Sequence, residues 1–476
     1  MTFSELFDNA ELLARELSNN GIKAGDVVGH AMSNSLDFVI SYLALCRLSV
    51  TTALVSAKYQ KQELDGIVDH IRPACFLADR AVSKKLTDKF ESVKSSDLSW
   101  NKTFDTLKVL RVEGRNNEVS DSGVKRPDFD SFRERPVLIK FTSGSTGLPK
   151  AVGLSVRNVL AEAGNIKETL DLTSSDVILA SVPISHSYGF DLGVLAMLRS
   201  GARLVLREGF IPRMILRDIK EAGVTIFLGV PSMYRFFLET RLEKMPDFSG
   251  IRYFLSCTAP LGTEIINAFE AKFGALICQH YGSSETGAAT NHVPEKISGR
   301  RESVGRGMKN VTVEIVDEEG NPLPCGTEGE VRISGESVAV GYLMGKPEAR
   351  DSLKEGFYRT GDIGYLDEEG FLFLVGRVDQ LINVGGHKVA PNEVISVLER
   401  FPAVREAAVV GAKNKDGEEF VYAVVTLSGA ATEGEIFDHC RSQLADYKVP
   451  RRIEIVEEMP RGPSGKIRLR AEDIRL

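Results

Sequence analysis

The sequence predicts an α/β protein: a large N-terminal domain of βαβ sheets plus a β-rich subdomain, followed by a small α+β C-terminal domain. Three observations carry this expectation. Apolar strand-like runs alternate with helical stretches from residue 4 to about residue 230, the order that builds parallel sheets with helices on their faces. From about residue 310 the texture changes to short strands and turns, and after Arg377 a new unit begins that is long enough for its own core.

Residues 4–20 place Leu6, Phe7, Ala10, Leu13, Ala14 and Leu17 at helical spacing and stop at Asn20-Gly21. GDVVGHAM then reads as a strand, SLDFVISYLALCRL as a helix and ACFLAD as a strand. DVILASVP, ARLVLRE and VTIFLGVP continue the strands, with FDLGVLAMLRSG and residues 212–222 as the helices between them. Residues 84–135 are polar and weakly periodic, with LKVLRVE as a strand. VTVEIVDEEGNPL, EGEVRIS and GFLFLVGR make the β-rich part. The last unit reads helix NEVISVLERF, strands EAAVVGA and EFVYAVVTL, helix EIFDHCRSQL and strand RRIEIVE. The expected domains are 1–378 and 379–476.

Composition removes several classes of function. The 476 residues are 43% hydrophobic and 26% charged, an ordinary globular balance. A net charge of −7 without a basic run argues against nucleic acid as a partner. The six cysteines lack C-x-x-C pairing and most sit among apolar residues, so reduced buried thiols are expected and zinc is not. The N-terminus has no signal-peptide pattern and no 18-residue apolar run occurs, so a cytoplasmic protein with no membrane span is expected.

Four motifs carry chemistry. TSGSTGLPK (142–150) is Gly- and hydroxyl-rich, but Lys150 follows Pro149 and both flanks, VLIKF and AVGLS, have strand character. It is therefore a loop between strands and not the strand-to-helix turn of a P-loop, with amides that can nest an anion. YGSSETG (281–287) combines an aromatic ring, hydroxyls and a single carboxylate, Glu285, suited to Mg²⁺. RTGDIGYLDEEGFLFLVGR puts Asp362 in a Gly turn and Arg377 fifteen residues later at a strand end, an acid and a fork suited to ribose and phosphate. PRGPSGKIRLR (460–470) is a basic Gly/Pro loop near the C-terminus. Read singly, each has a plain alternative: a flexible loop, a polar turn or a basic tail.

Together, in this order and across nearly the whole chain, they resemble the superfamily of adenylate-forming enzymes: acyl-CoA synthetases, beetle luciferases and peptide-synthetase adenylation domains. The resemblance implies that Thr142, Ser143, Gly144, Ser145, Thr146, Gly147 and Lys150 embrace the β- and γ-phosphates of ATP. It places Tyr281 and Gly282 at the adenine, Ser284 near the α-phosphate, Glu285 on Mg²⁺ with Thr286 beside it, and Asp362 and Arg377 on the ribose. Thr258, Ala259 and Pro260, in SCTAPL, would flank adenine; here Cys257 and Thr258 stand where small glycines are commoner. VPISHSYGF resembles the aromatic motif of the acyl pocket, with His186 as gate and Tyr188, Gly229, Cys257, Thr258 and Gly282 as lining. Asp191 falls several residues too late to match the amino-group grip of peptide synthetases, so no amino-acid substrate is expected. Asp379 matches the hinge of a mobile C-terminal domain and Lys466 the lysine that enters the site for adenylation. INVGGHK (382–388) would admit a pantetheine arm past Gly385 and Gly386, with Lys388 as a phosphate contact in one of the two states.

The implied activity is ATP-dependent conversion of a small carboxylic acid, apolar or aromatic in its body, to acyl-AMP with loss of pyrophosphate. Transfer to a thiol follows: CoA, giving an acyl- or aryl-CoA, or the phosphopantetheine of an acyl carrier protein. A catalytically silent paralogue is the third reading, against which Glu285, Asp362, Arg377 and Lys466 are all present.

Overall fold

The computed structural model describes residues 1–86, 90–92, 108–112, 134–142, 149–242, 244–292, 299–344, 352–354, 356–384, 387–414, 418–461 and 469. Two large sheets, a smaller antiparallel sheet and a C-terminal sheet make up the fold among these residues.

The first sheet runs, in spatial order, Gly341–Met344, Lys150–Leu154, Leu138–Thr142, Thr51–Leu54, Val27–Ala31, Cys75–Ala78, Lys108–Val112 and Phe90–Ser92. Its centre is parallel, as the alternation predicts, while the strands beyond Leu138–Thr142 and beyond Cys75–Ala78 pair antiparallel. Thr51–Leu54, hidden in LSVTTALVSA, is a strand the sequence reading passes over; all four of its residues are buried. The second sheet orders Arg306–Gly307, Gly287–Asn291, Ile277–Ser283, Tyr253–Ser256, Ile226–Gly229, Val177–Ala180 and Arg203–Leu206, parallel from Ile277–Ser283 onward. One expected helix differs: FDLGVLAMLRSG opens with a π-helical stretch, Phe190–Leu195, before α-helix Ala196–Ser200. A π-turn inside a helix is uncommon and often sits at a working site.

An aromatic cluster closes the second sheet. Phe227, Tyr234, Phe254 and Phe269 are fully buried and meet edge-on, with Tyr234 and Phe269 at 5.4 Å and Phe254 and Phe269 at 5.2 Å. Edge-to-face geometry suits the ring quadrupoles, and truncating one such ring to Ala costs about 3–5 kcal/mol. The hydroxyls of Tyr188 and Tyr234 both donate to the Leu255 carbonyl, at 3.2 and 2.6 Å, which pins the strand leading into Ser256-Cys257-Thr258.

The smaller sheet holds Thr312–Val316, Gly329–Ser334, Phe357–Leu366, Leu353–Lys354 and Leu372–Arg377, all antiparallel. Beyond it, hairpin Ile382–Val384 with His387–Val389 leads into a three-stranded sheet, Val404–Lys413, Glu419–Leu427 and Arg452–Ile455. Helices Pro391–Glu399 and Glu433–Gln443 cover it around Val394, Leu398, Ile436 and Cys440. This core shares no member with the clusters of residues 6–372, so the C-terminal unit has the independent core that its length predicts.

Ion pairs join the two units. Arg235, on helix Pro231–Glu239, lies 3.3 Å from Glu399 and 3.3 Å from Glu406; Arg461 also binds Glu406, and Arg405 reaches Glu239 at 3.7 Å. Burial lifts the Glu399 carboxyl above its usual range and Arg235 pulls it back. Such half-buried pairs hold lightly. Arg235→Ala should therefore free the small unit without unfolding it: limited trypsin digestion between residues 377 and 400 speeds up a few-fold while the thermal midpoint barely moves. Unchanged cleavage would show that the cluster does no docking.

Candidate active site

The flanks of TSGSTGLPK are two antiparallel strands, as their apolar character predicts, in which Thr142 pairs with Lys150. Ser143, Gly144, Ser145, Thr146 and Gly147 lie outside the described residues. At the hairpin base the Lys150 ammonium stands 5.8 Å from the centre of the Tyr342 ring. Tyr342 comes from strand Gly341–Met344, which pairs with Lys150–Leu154. Its hydroxyl donates to Glu285 Oε1 at 2.8 Å. Burial first, and the Glu285 charge second, push that hydroxyl far above its usual pKa, so it remains a donor.

Glu285 stands in a turn between strands Ile277–Ser283 and Gly287–Asn291. The turn is built by hydroxyls: Ser283 Oγ accepts the amides of Glu285 and Thr286 at 3.2 and 3.3 Å. Thr286, fully buried, accepts the Ser283 amide at 3.1 Å and donates to the Gly287 carbonyl at 3.0 Å. The structure thus uses Thr286 to hold the turn that presents Glu285. Gly282 has no room for a side chain, since a Cβ would lie 2.1 Å from the Gly287 carbonyl oxygen. Ser284 Oγ is 2.6 Å from Ser187 Oγ, which ties this turn to the His186 motif.

Asp362 is not in a turn, as its glycine neighbours suggest, but within strand Phe357–Leu366. Gly361 takes a left-handed φ of +73° and kinks the strand without ending it. The fifteen-residue spacing to Arg377 is the return of an antiparallel pair: the two residues are direct partners, and Arg377 Nη1 donates to Asp362 Oδ1 at 2.8 Å. The other oxygen accepts from Tyr281 Oη at 2.5 Å. One carboxylate therefore bridges the expected adenine ring and the expected ribose arginine.

On the acyl side, His186 is exposed and precedes the short helix Ser187–Gly189. Tyr188 and Cys257 are buried, while Thr258 is half-buried and Ala259 and Pro260 exposed. A Cβ on Gly229 would meet Phe227 and Tyr234 at 2.8 Å, so the aromatic cluster forms a wall behind it. Thr258 has a left-handed φ of +78°, which a β-branched residue adopts only under strain of about 1–2 kcal/mol.

Asp191 belongs to a pair invisible in sequence. Lys140 Nζ donates to both its oxygens, at 2.6 and 2.7 Å, and both side chains are buried. Glu162 lies alongside. Tyr342, Ser187, Lys140 and Glu162 are the site neighbours that sequence reasoning missed, because each meets its partner across at least 50 residues. Only an unexpected charge inside an apolar strand, Lys140 in VLIKF, gave any signal.

Asp379 lies in the 3₁₀ turn Val378–Gln380, and INVGGHK forms the hairpin of Ile382–Val384 with His387–Val389. Gly385, Gly386 and Lys466 lie outside the described residues. Among those described, no group of three His, Cys, Asp or Glu is placed to hold a metal. One carboxylate beside hydroxyls suits Mg²⁺, which keeps most of its shell from water and substrate phosphates. None of the six cysteines is in a disulfide among the described residues, four of them are buried, and no helix among the described residues is long and apolar enough to cross a membrane.

Comparison with known proteins places the chain in a family. Residues 1–343 match the model of the AMP-binding enzyme family and residues 393–466 that of the AMP-binding enzyme C-terminal domain. The chain is 32% identical to an oxalate–CoA ligase of Arabidopsis thaliana, over 99% of this chain and 92% of that protein. It is 28% identical to 4-coumarate–CoA ligase 4 of the same plant, over 98% and 85%. Among solved structures, the o-succinylbenzoate coenzyme A synthetase of Bacillus subtilis in complex with ATP and magnesium superposes with a TM-score of 0.83, at 26% identity over 98% of this chain and 93% of that one. The chain belongs to the AMP-binding enzyme family and is an AMP-forming acid–thiol ligase of the acyl/aryl-CoA synthetase type.

Proposed function

We propose that the enzyme activates a monocarboxylic acid with an apolar or aromatic body, forming its acyl-AMP and passing the acyl group to CoA, in the cytoplasm. What supports this reading is the meeting of the hairpin base, the acidic turn and the Asp362–Arg377 pair around two tyrosines, Tyr342 and Tyr281. The monocarboxylate rests on charge. Among the described residues Lys140 is the one buried Lys or Arg, and both its bonds go to Asp191. A second buried carboxylate on the substrate would meet no free partner there, and an unpaired buried charge is costly. Cysteines that form no disulfide fit a reducing compartment.

The reaction brings two anions together, the acid's carboxylate and the α-phosphate. Glu285 would hold Mg²⁺, which when bound neutralises phosphate charge. Lys150 and residues 142–147 position the departing pyrophosphate, Ser284 orients the α-phosphate, and Asp362 turns from Tyr281 to the ribose hydroxyls while Arg377 keeps its angle. Lys466 supplies the positive charge at the reacting carboxylate, a group whose loss costs about 10²–10³ in rate. Thiol attack needs another geometry, so rotation at Asp379 withdraws Lys466 and brings residues 382–388 to the site, with 1–378 and 379–476 as the moving bodies. His186 gates the acyl pocket.

Pyrophosphate release with short, medium, long-chain and aromatic acids, with and without CoA, tests the reading. Release with a monocarboxylic acid and CoA-dependent thioester formation are expected; preference for a dicarboxylate would sink the substrate assignment. Lys466→Ala should abolish adenylation by about 10²–10³ and leave thioester formation from preformed acyl-AMP largely intact; equal loss in both halves would remove its role. Asp379→Pro should spare adenylation and block the second half, and a wild-type thioester rate would mean that the pivot lies elsewhere. Thr258→Gly relieves the strained φ while adding backbone freedom to the unfolded chain, a net gain of about 1 °C in the thermal midpoint. It should also lower the KM of the bulkier acids by widening the wall; a destabilised variant with an unchanged acid profile would contradict both effects.

A further inference from the structure

Beneath the acidic turn lies a charged group that the chemistry above leaves unused. Lys140, Asp191 and Glu162 are exposed by only 3%, 3% and 2%. They come from three elements: the strand that feeds the phosphate loop, the π-helical stretch after Tyr188, and helix Val156–Thr169. Both hydrogen bonds of Lys140 go to Asp191. Glu162 Oε1 accepts the amide of Ala288 at 2.7 Å, and Oε2 has no hydrogen-bond partner. That second oxygen lies against Gly287, where a Cβ would come within 2.2 Å of it. Gly287 is left-handed, at φ +68°. The carboxyl therefore fills the space under the last residue of the turn and anchors the first amide of the strand that leaves it.

We infer that Glu162 is a positioning residue for the Ser283–Gly287 turn, a neutral acid that sets where Glu285 meets MgATP. The charge count supports the neutral form. One cation, Lys140, is already matched, and a second ionised carboxylate with a single N–H donor would be buried without compensation. Burial and the neighbouring Asp191 raise the Glu162 pKa to about 8, with Lys140 and the Ala288 amide opposing; Asp191 and Lys140 are the charged groups that bear on it. Lys140 lies two residues before Thr142, and Asp191 three after Tyr188. The same array thus fixes the turn relative to the phosphate loop and the acyl motif.

The inference rests on the adenylation reading, and the test separates the two. Pyrophosphate release is measured with wild type, Glu162→Ala and Glu162→Gln, varying MgATP and acid independently from pH 6 to 9. Glu162→Ala removes the acceptor and should raise the KM for MgATP about tenfold, the cost of one buried hydrogen bond left unmade, while the acid's KM stays within about twofold. Glu162→Gln keeps a neutral acceptor and should restore MgATP affinity to within about twofold of wild type. Wild type should also lose rate above about pH 8 as Glu162 ionises against Asp191, a falling limb absent from Glu162→Gln. A wild-type MgATP KM in Glu162→Ala, equal rises in both KM values, or an unchanged falling limb in Glu162→Gln would each overturn the inference. Should Glu162→Ala fail to fold, the Glu162→Gln pH profile decides alone. No release by wild type with any acid would fail the adenylation reading and take this inference with it.

Discussion

A charge taken out of water must be matched where it lies, and Lys140 is buried in the middle of the large domain with Asp191 as its match. That constraint reaches further than one ion pair. Lys140 is fixed by its strand, so Asp191 must come to it, and Asp191 rides on the π-helical stretch Phe190–Leu195 that follows the His186 motif. The extra residue of a π-turn changes which side chains face inward, and here Asp191 points into the core at 3% exposure. Glu162 shares the same space and can do so cheaply only as a neutral acid. Through its bond to Ala288 the constraint passes to the turn that carries Glu285.

Much of the fold was legible because its signals are local. The helix at residues 3–19 follows from spacing and from the Asn20-Gly21 stop; the structure adds a Thr2–Glu5 capping box there and Pro212 in the first turn of helix 212–222. The strand pair flanking TSGSTGLPK was legible too, since apolar runs on both sides leave strand–loop–strand as the simplest reading. Asp362 was misread for an equally physical reason. Glycines on both sides usually mean a turn, but here Gly361 kinks a ten-residue strand that pairing on both sides holds extended. The fifteen residues to Arg377 are one hairpin out and back, which makes the two direct strand partners.

The unreadable part of the site is the part made by distant pairs. Tyr342 meets Glu285 across 57 residues and Ser187 meets Ser284 across 97, and neither tyrosine nor serine is unusual enough to announce itself. Thr258 is different. The resemblance marked it as a departure from a glycine, and the structure shows what it costs, a β-branched residue at φ +78°. Strain of this kind persists only where the surroundings enforce it. Two tyrosine hydroxyls hold the Leu255 carbonyl, three residues earlier.

The way the two units meet follows from what the second half-reaction requires. An interface of buried apolar surface would hold one arrangement too firmly for the rotation proposed at Asp379. Ion pairs are part of that contact, Arg235 with Glu399 and Glu406, and their side chains keep 18–26% of their surface in water, through which each can exchange its partner for solvent. Glu406 also binds Arg461, at the start of the segment that leads to Lys466. Releasing Arg235 therefore leaves that segment tied to its own domain. On the rotation proposed above, the small unit can then move as one body.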